Sequence, residues 1–353
     1  MDETAEEFNL SCPVPLGDYR EVVLAHGSGG KLSQRLMQEV FLPQFGNELL
    51  APLHDGAVCT VGGARLAFST DAHVVSPLFF PGGDIGKLAV HGTVNDLAMC
   101  GARPLYLSCA YILEEGLPLE VLRRVVRSMR EAAEAAGVQL VTGDTKVVDR
   151  GKADRLFITT AGLGSVPDGV SIEPARAQPG DKILLSGTIA EHGIAILSVR
   201  EGLEFEGEIA SDTAPLHGLV EAMLRAGQEG VHVLRDPTRG GVTSALTEIA
   251  QRAGVGMRLE EAAIPVREEV RGACELLGLD PLYVANEGKL LALVAPEKAG
   301  AVLEAMRAHP LGRQAALIGE VSAQHPGLVT MRTRVGGTRV VDMLSGEQLP
   351  RIC

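Results

Sequence analysis

Midway along the chain, residues 167–180 (PDGVSIEPARAQPG) place three prolines and two glycines in fourteen positions. Proline has no amide proton to give to a ladder, and glycine forfeits side-chain packing, so regular structure stops here. The segment divides 353 residues into two parts, each long enough for a core of its own. Before it, a short apolar run at 22–25 predicts a strand entering a glycine-rich turn, and 32–41 has helical spacing. Runs at 57–61 and 65–70 flank Gly62-Gly63, a hairpin signature. The stretch 84–100 reads as a helix ended by Gly101, and 105–113 as a strand. Across 119–136, Leu122, Val125, Val126, Met129 and Ala133 form one stripe, with arginines mostly opposite, which predicts an amphipathic helix. Strands are expected at 138–148 and 156–166. After the break come strands at 182–185, 290–294 and 315–321, and helices at 189–199, 241–253, 266–277 and 297–308. Hairpins mixed with helix-separated strands predict the α+β class: two domains, each a mixed or antiparallel sheet with helices on one face. The boundaries are an N-terminal extension 1–18, a domain 19–166, a linker 167–180, a domain 181–344, and a mobile tail 345–353.

Charge and cysteines remove several functions. The net charge of −13 argues against nucleic acid as the main partner, because phosphate contacts need concentrated Lys and Arg. Eight Phe, four Tyr and no Trp leave few platforms for stacked bases. No apolar run approaches the roughly 20 residues that span a bilayer. The first residues, MDETAEEF, are acidic where an export signal is basic, so a cytoplasmic location with reduced thiols is expected. Cys59, Cys100 and Cys109 lie in apolar patterns and read as small core residues. Cys353 is different, being the final residue of a tail that could reach about 30 Å when extended.

Three groups of residues carry possible chemistry. His26-Gly27-Ser28-Gly29-Gly30-Lys31 fails the Walker A pattern at Ala25 and Leu32, and fails the dinucleotide pattern at Leu32. What remains is a glycine turn with a lysine at a helix start, able to meet an anion or simply to turn the chain. Asp55, Asp71, Asp96 and Asp144 each stand beside Gly, Asn or Thr at an element end. Single aspartates there are usually caps, but four together point to a metal–phosphate site, since Mg²⁺ takes hard oxygen ligands. Lys146 and Glu287 complete the set. Only 7 of the 32 basic residues are lysines, and a buried lysine can titrate where arginine cannot, although a solvated turn charge would explain either residue. Asp236-Pro237-Thr238-Arg239-Gly240-Gly241 reads as a cap and rigid helix start. HExxH, CxxC and GxSxG are absent, leaving zinc and serine hydrolases without support.

Taken in order, HGSGGK, FSTDAHVVSPLFFPGGDIGKLAVHGTVNDLAMCGARP, VTGDTKVV, DPTRGG, VANEG and the terminal PRIC resemble the HypE family of hydrogenase maturation proteins. The aspartate pattern alone resembles the wider superfamily of aminoimidazole ribonucleotide synthetase, selenophosphate synthetase and thiamine-phosphate kinase. The resemblance implies an N-terminal ATP-binding domain and a homodimer paired through N-terminal sheets. It implies ATP-dependent dehydration of a carbamoyl group on Cys353 to a thiocyanate, the source of the cyanide ligand of nickel–iron hydrogenase. Implied partners are the carbamoyltransferase HypF and the iron-carrying HypC–HypD complex. Implied roles are Cys353 as carrier, Glu287 with Lys146 as base, and Asp71, Asp96 and Asp144 on Mg²⁺. Gly27, Gly29, Gly30, Lys31, Asp55 and Asn95 would lie close to ATP. His91 departs from the smaller residues of relatives and is expected to alter only a local contact. The competing expectations are a small-molecule kinase or synthetase in which Cys353 is incidental, and a non-catalytic scaffold for a metal or partner.

Overall fold

In a computed structural model, residues 19–203, 207–346, 349 and 351–353 are described; the expected N-terminal extension lies outside them. The first part contains α1 (Lys31–Leu36), α2 (Leu42–Phe45), β1 (Ala57–Val61), β2 (Ala64–His73), β3 (Phe79–Phe80), β4 (Gly83–Asp84) and α3 (Ile85–Met99). It continues through β5 (Arg103–Glu114), α4 (Leu119–Ala136), β6 (Gln139–Val148) and β7 (Leu156–Ser165). Five strands form one sheet in the order β1-β2-β7-β5-β6, parallel only between β5 and β6. The expected 22–25 strand is instead part of a 3₁₀ turn, Leu24–Gly27, and a π turn, Met37–Phe41, joins α1 to α2. The apolar run is too short to specify a ladder, and no strand among the described residues pairs with it.

Local chemistry sets the main elements. Gly62 and Gly63 take φ of 58° and 86°, the hairpin geometry their sequence predicts. The Asp84 side chain accepts from the Gly86 and Lys87 amides and so starts α3. Thirteen of the fifteen residues of α3 are buried, as suits a helix apolar on every side. The stripe on α4 buries Val125, Met129 and Ala133, and the helix ends at left-handed Gly137.

The second part contains β8 (Lys182–Leu185), α5 (Glu191–Glu201), α6 (His217–Gly227), β9 (Val231–Arg235), α7 (Gly241–Ala253), β10 (Gly256–Glu260) and α8 (Glu268–Leu277). Then follow β11 (Leu291–Val294), α9 (Pro296–Ala308), β12 (Ala316–Ser322), β13 (Val329–Arg332) and β14 (Thr338–Val341). Seven strands run β14-β13-β10-β12-β8-β11-β9, a mixed sheet with one parallel pair, β10 with β13. Side chains alternate across it. Ile183, Leu185, Val233 and Leu293 meet α7, while Leu184, Leu234, Ala292 and Val294 meet α6 and α9. Helices therefore cover both faces of this sheet, not one. The α+β class and the two mixed sheets are as expected. The expected helices on one face hold for the first sheet, where α3 and α4 pack on one side and Phe68 and Tyr106 stay exposed on the other.

Candidate functional site

The turn at 236–241 is the hinge of the site. Gly29 (φ 75°) packs so closely on it that an added Cβ would lie 2.5 Å from the Arg239 carbonyl oxygen. Gly240 (φ 76°) leaves a Cβ only 2.8 Å from the Gly29 carbonyl oxygen. Asn286 fastens the other side: its Nδ2 donates to the Pro237 carbonyl at 3.0 Å, and its Oδ1 accepts from the Ala190 amide at 2.7 Å. Two loops are thus held against the start of α7, one by close main-chain packing and one by the Asn286 side chain.

Behind this turn, Asp55, Asp96 and Asp236 converge, each offering an oxygen within 4.8 Å of the others. They come from the loop before β1, from α3, and from the end of β9. Arg235 Nε pairs with Asp55 at 3.1 Å, and Ser69 donates to Asp96 at 2.7 Å, yet Asp55 Oδ2 has no hydrogen-bond partner. Burial raises all three carboxyls. Asp55 reaches about 6 despite Arg235. Asp96 is pushed well above the usual carboxylate range by burial and then by Asp236, Asp71 and Asp55. Asp236 is raised in the same way by burial and Asp55. Three hard oxygen donors, an orphaned carboxylate oxygen and surplus negative charge fit a divalent cation such as Mg²⁺.

Glu287 lies beside this cluster on the loop before β11. It is 4% exposed, its Oε1 has no partner, and its amide donates to Asp212 at 3.0 Å. Burial, followed by Asp71, Asp236 and Asp212, lifts its carboxyl well above the normal range, while Arg239 opposes. Asp212 itself is buried, but Lys289 at 3.1 Å and the Glu287 amide help to hold it low.

The end of the chain enters the same space. Residues 351–353 lie against 74–76 like a short added strand. The Val74 amide donates to the Cys353 carboxyl-terminal oxygen at 2.9 Å, and the Ser76 amide to the Arg351 carbonyl at 3.3 Å. Ile352 is 3% exposed and shares a buried cluster with Val75, Ile196 and Ala285. Burying such a side chain is worth about 1.5–3 kcal/mol, enough to favour a docked tail. The Cys353 residue keeps some exposed surface, but burial pushes its thiol up to about 12, with Glu287, Asp71 and Asp236 adding to the rise and Arg239 opposing it. In turn Cys353 contributes most to holding Arg239 above its ordinary value. Thiol, guanidinium and two carboxyl-bearing loops form one site.

Not every expected residue belongs to it. Asp71 is at its edge, 3.3 Å from His73 Nε2. Asp144 and Lys146 pair with each other at 2.7 Å on the outer strand β6, 63% and 70% exposed. Lys146 is not among the largest influences on Glu287 or Cys353. Lys31 pairs with Asp342 at 2.5 Å. Asn95 spends its amide on main chain, donating to the Ala214 and Glu287 carbonyls and accepting from Leu216. It braces the Glu287 loop. Gly27 accepts from Arg239, which ties the glycine turn to that side chain's far end. His91 is buried against Thr213 at 3.1 Å, and burial lowers it to about 3. Asp236 and Arg239 were missed in the sequence because DPTRGG reads as a cap, whereas Gly240 occupies the cap position of α7.

Two family models match, AIR synthase related protein N-terminal domain over residues 53–166 and C-terminal domain over 178–331. Fold and site thus define an enzyme of the AIR synthase related class. "Carbamoyl dehydratase HypE" of Cupriavidus necator is 62% identical over 331 residues, covering 94% of each chain. A HypE chain crystallised with ATP is 51% identical, covers 94% of this chain and all of that one, and superposes with a TM-score of 0.79. A chain of a HypE–HypF complex is 49% identical over 88% of this chain and 99% of that one, with a TM-score of 0.84. The chain belongs to the carbamoyl dehydratase HypE family, enzymes of hydrogenase maturation.

Proposed function

We propose that the protein dehydrates a carbamoyl group carried on its own Cys353, using ATP, to give a terminal thiocyanate for the cyanide ligand of nickel–iron hydrogenase. The observation that carries this reading is the chain end docked on 74–76, with Ile352 and Cys353 packed in the cluster that holds Ala285, two residues before Glu287. A thiocarbamate, S–C(=O)–NH₂, cannot readily expel its oxygen as water. Transfer of the ATP γ-phosphoryl group to that oxygen gives a leaving group: two protons leave nitrogen, a third C–N bond forms, and the C–O bond breaks to release phosphate. Asp55, Asp96 and Asp236 would hold Mg²⁺, with Asp71 adjacent; when bound, the ion neutralises phosphoryl charge. Arg239 would orient the carbamoyl oxygen. Glu287 would take nitrogen protons, a positioned base typically contributing about 10²–10⁴-fold. The docked tail supplies orientation, worth up to roughly 7–11 kcal/mol.

A homodimer is part of the proposal. Phe68, Leu163 and Tyr106 share one row of the first sheet, and Phe68 and Tyr106 are 51% and 45% exposed on the face that no helix among the described residues covers. Pairing of two such faces would bury them and bring Asp144 and Lys146 of β6 to an interface, where they could assist ATP binding. HypF would load Cys353 and HypC–HypD would accept the product, in the cytoplasm. No helix among the described residues is long and apolar enough to cross a membrane.

Intact-protein mass spectrometry after incubation with HypF, carbamoyl phosphate and ATP is the test. A carbamoyl mass gain on the C-terminal peptide should be followed by loss of one water. Cys353→Ala should take no carbamoyl yet keep most nucleotide affinity. Persistent nucleotide turnover in a chain lacking its last three residues, with no mass change on the tail, would instead support a small-molecule kinase.

A further inference from the structure

One helix face holds the tail, and a chain of contacts runs from it to the loop that carries Glu287. His192, Ile196 and Arg200 are spaced i, i+4, i+8 along α5 and so lie in one row. The carbonyl of Ile352 can only accept, so the His192 Nε2 that lies 2.8 Å away carries the proton and donates. Ile196 shares the buried cluster of Ile352. Arg200 Nη2 donates to the Arg351 carbonyl at 2.9 Å and to Ser76 at 2.7 Å. Beside the row, Gly193 leaves space for Leu349, whose methyl would lie 3.2 Å from an added Cβ. Across the tail, Arg351 pairs with Asp154 at 2.7 Å and donates to the Val74 carbonyl at 3.0 Å, with its own backbone at φ 51°. A non-glycine residue in the left-handed region persists only where its surroundings hold it.

The same histidine faces the catalytic loop. With Nε2 protonated, Nδ1 accepts from Ser211 Oγ at 2.7 Å. Ser211 precedes Asp212, whose carboxylate accepts the Glu287 amide at 3.0 Å and pairs with Lys289. Gly288 packs so tightly on Asp212 that no side chain would fit between them. Loss of the His192 bond would therefore free the tail and slacken the 211–212 loop against which Glu287 is set.

We propose that His192 is a positioning residue: it latches the tail with Cys353 inside the site and, through Ser211 and Asp212, sets Glu287 against the docked cargo. This inference rests on the dehydration reading above for its catalytic consequence, but the latch itself does not.

The test uses the full chain and two measurements. Without ATP, the rate at which iodoacetamide alkylates Cys353 is followed by peptide mass spectrometry. With HypF, carbamoyl phosphate and ATP, the loss of one water from the carbamoylated tail is timed. His192→Phe keeps the ring's bulk and removes the donor; Cys353 alkylation should rise about 5- to 150-fold, the cost of one buried carbonyl left unpaired. The water-loss step should slow by a similar or larger factor. His192→Gln, which can donate to the same carbonyl, should restore much of both. Arg351→Ala, changed on the outer side of the tail and away from the core, should also speed alkylation, so a folding defect at His192 cannot decide the result. Equal alkylation of the wild type and both latch variants overturns the latch. Faster alkylation with an unaltered water-loss rate overturns the link to Glu287. Absence of water loss in the wild-type chain itself would count against the dehydration reading, with the alkylation comparison still judging the latch.

Discussion

Binding of Mg²⁺ should expel protons, and the buried aspartates allow the effect to be sized. Asp55, Asp96 and Asp236 bring oxygens within 4.8 Å of one another. At an effective dielectric of about 20, two unit charges at that separation repel by roughly 3–4 kcal/mol. That is more than two pH units at about 1.4 kcal/mol each, before burial adds its own cost. The free protein therefore holds these carboxyls against ionisation more strongly than ordinary aspartates. A divalent cation removes the repulsion and releases protons. Calorimetric titration of Mg²⁺ with a non-hydrolysable ATP analogue, in buffers of different ionisation enthalpy, should show net proton release at pH 7. Affinity should weaken roughly tenfold per proton for each pH unit below the cluster's values. Stability of the free protein gives the opposite sign. These folded-state values are raised, so the stabilisation is complete below about pH 4 and is lost as pH rises, through about 6 for Asp55 and further for Asp96 and Asp236. The loss should approach about 1.4 kcal/mol per pH unit for each retained proton. Asp236→Asn should flatten that slope and stabilise the free protein at pH 8 while abolishing metal binding. Buffer-independent heats, together with a melting temperature flat from pH 5 to 8, would refute the account.

Other substitutions separate the parts of the site. Glu287→Gln removes the proton acceptor but little volume, so carbamoylated protein should accumulate with ATP present and the water-loss step should fall by about 10²-fold or more, read by intact mass. Asp96→Asn should weaken the Mg-nucleotide complex at least tenfold in calorimetry. Asp144→Asn should act through nucleotide affinity only where the chain is dimeric, because Asp144 is exposed on β6 and remote from the buried cluster. Tyr106→Glu places a charge on the uncovered sheet face and should shift light scattering from dimer to monomer mass, with the melting temperature of the monomer changed little.

The legibility of this chain follows from which contacts are local. The helix at 119–136 was readable to the residue because its stripe, its proline start and the left-handed Gly137 are all written within its own length. Asp55 and Asp96 were readable as carboxylates at element ends. Asp236 was not, since a cap and a ligand share the same letters, and its meeting with Asp55 and Asp96 is a long-range contact that the turn's own sequence does not express. The reverse holds for Asp144, which has the same sequence dress as Asp96 but sits on the outermost strand of its sheet.

The tail illustrates the limit best. Ser345 to Cys353 has no helical or strand periodicity, and as a free segment it reads as a tether. Its docked position depends on partners about 150 and 280 positions earlier in sequence, on α5 and at 74–76. Each contact is weak alone: a net hydrogen bond is worth about 0.5–1.5 kcal/mol and an exposed ion pair less. A reaction that loads a thiol from another protein and then dehydrates the cargo in a buried site needs a tail that both seats and leaves. A few modest, separable contacts around one buried isoleucine meet that requirement, where a full strand or helix would fix the thiol in place.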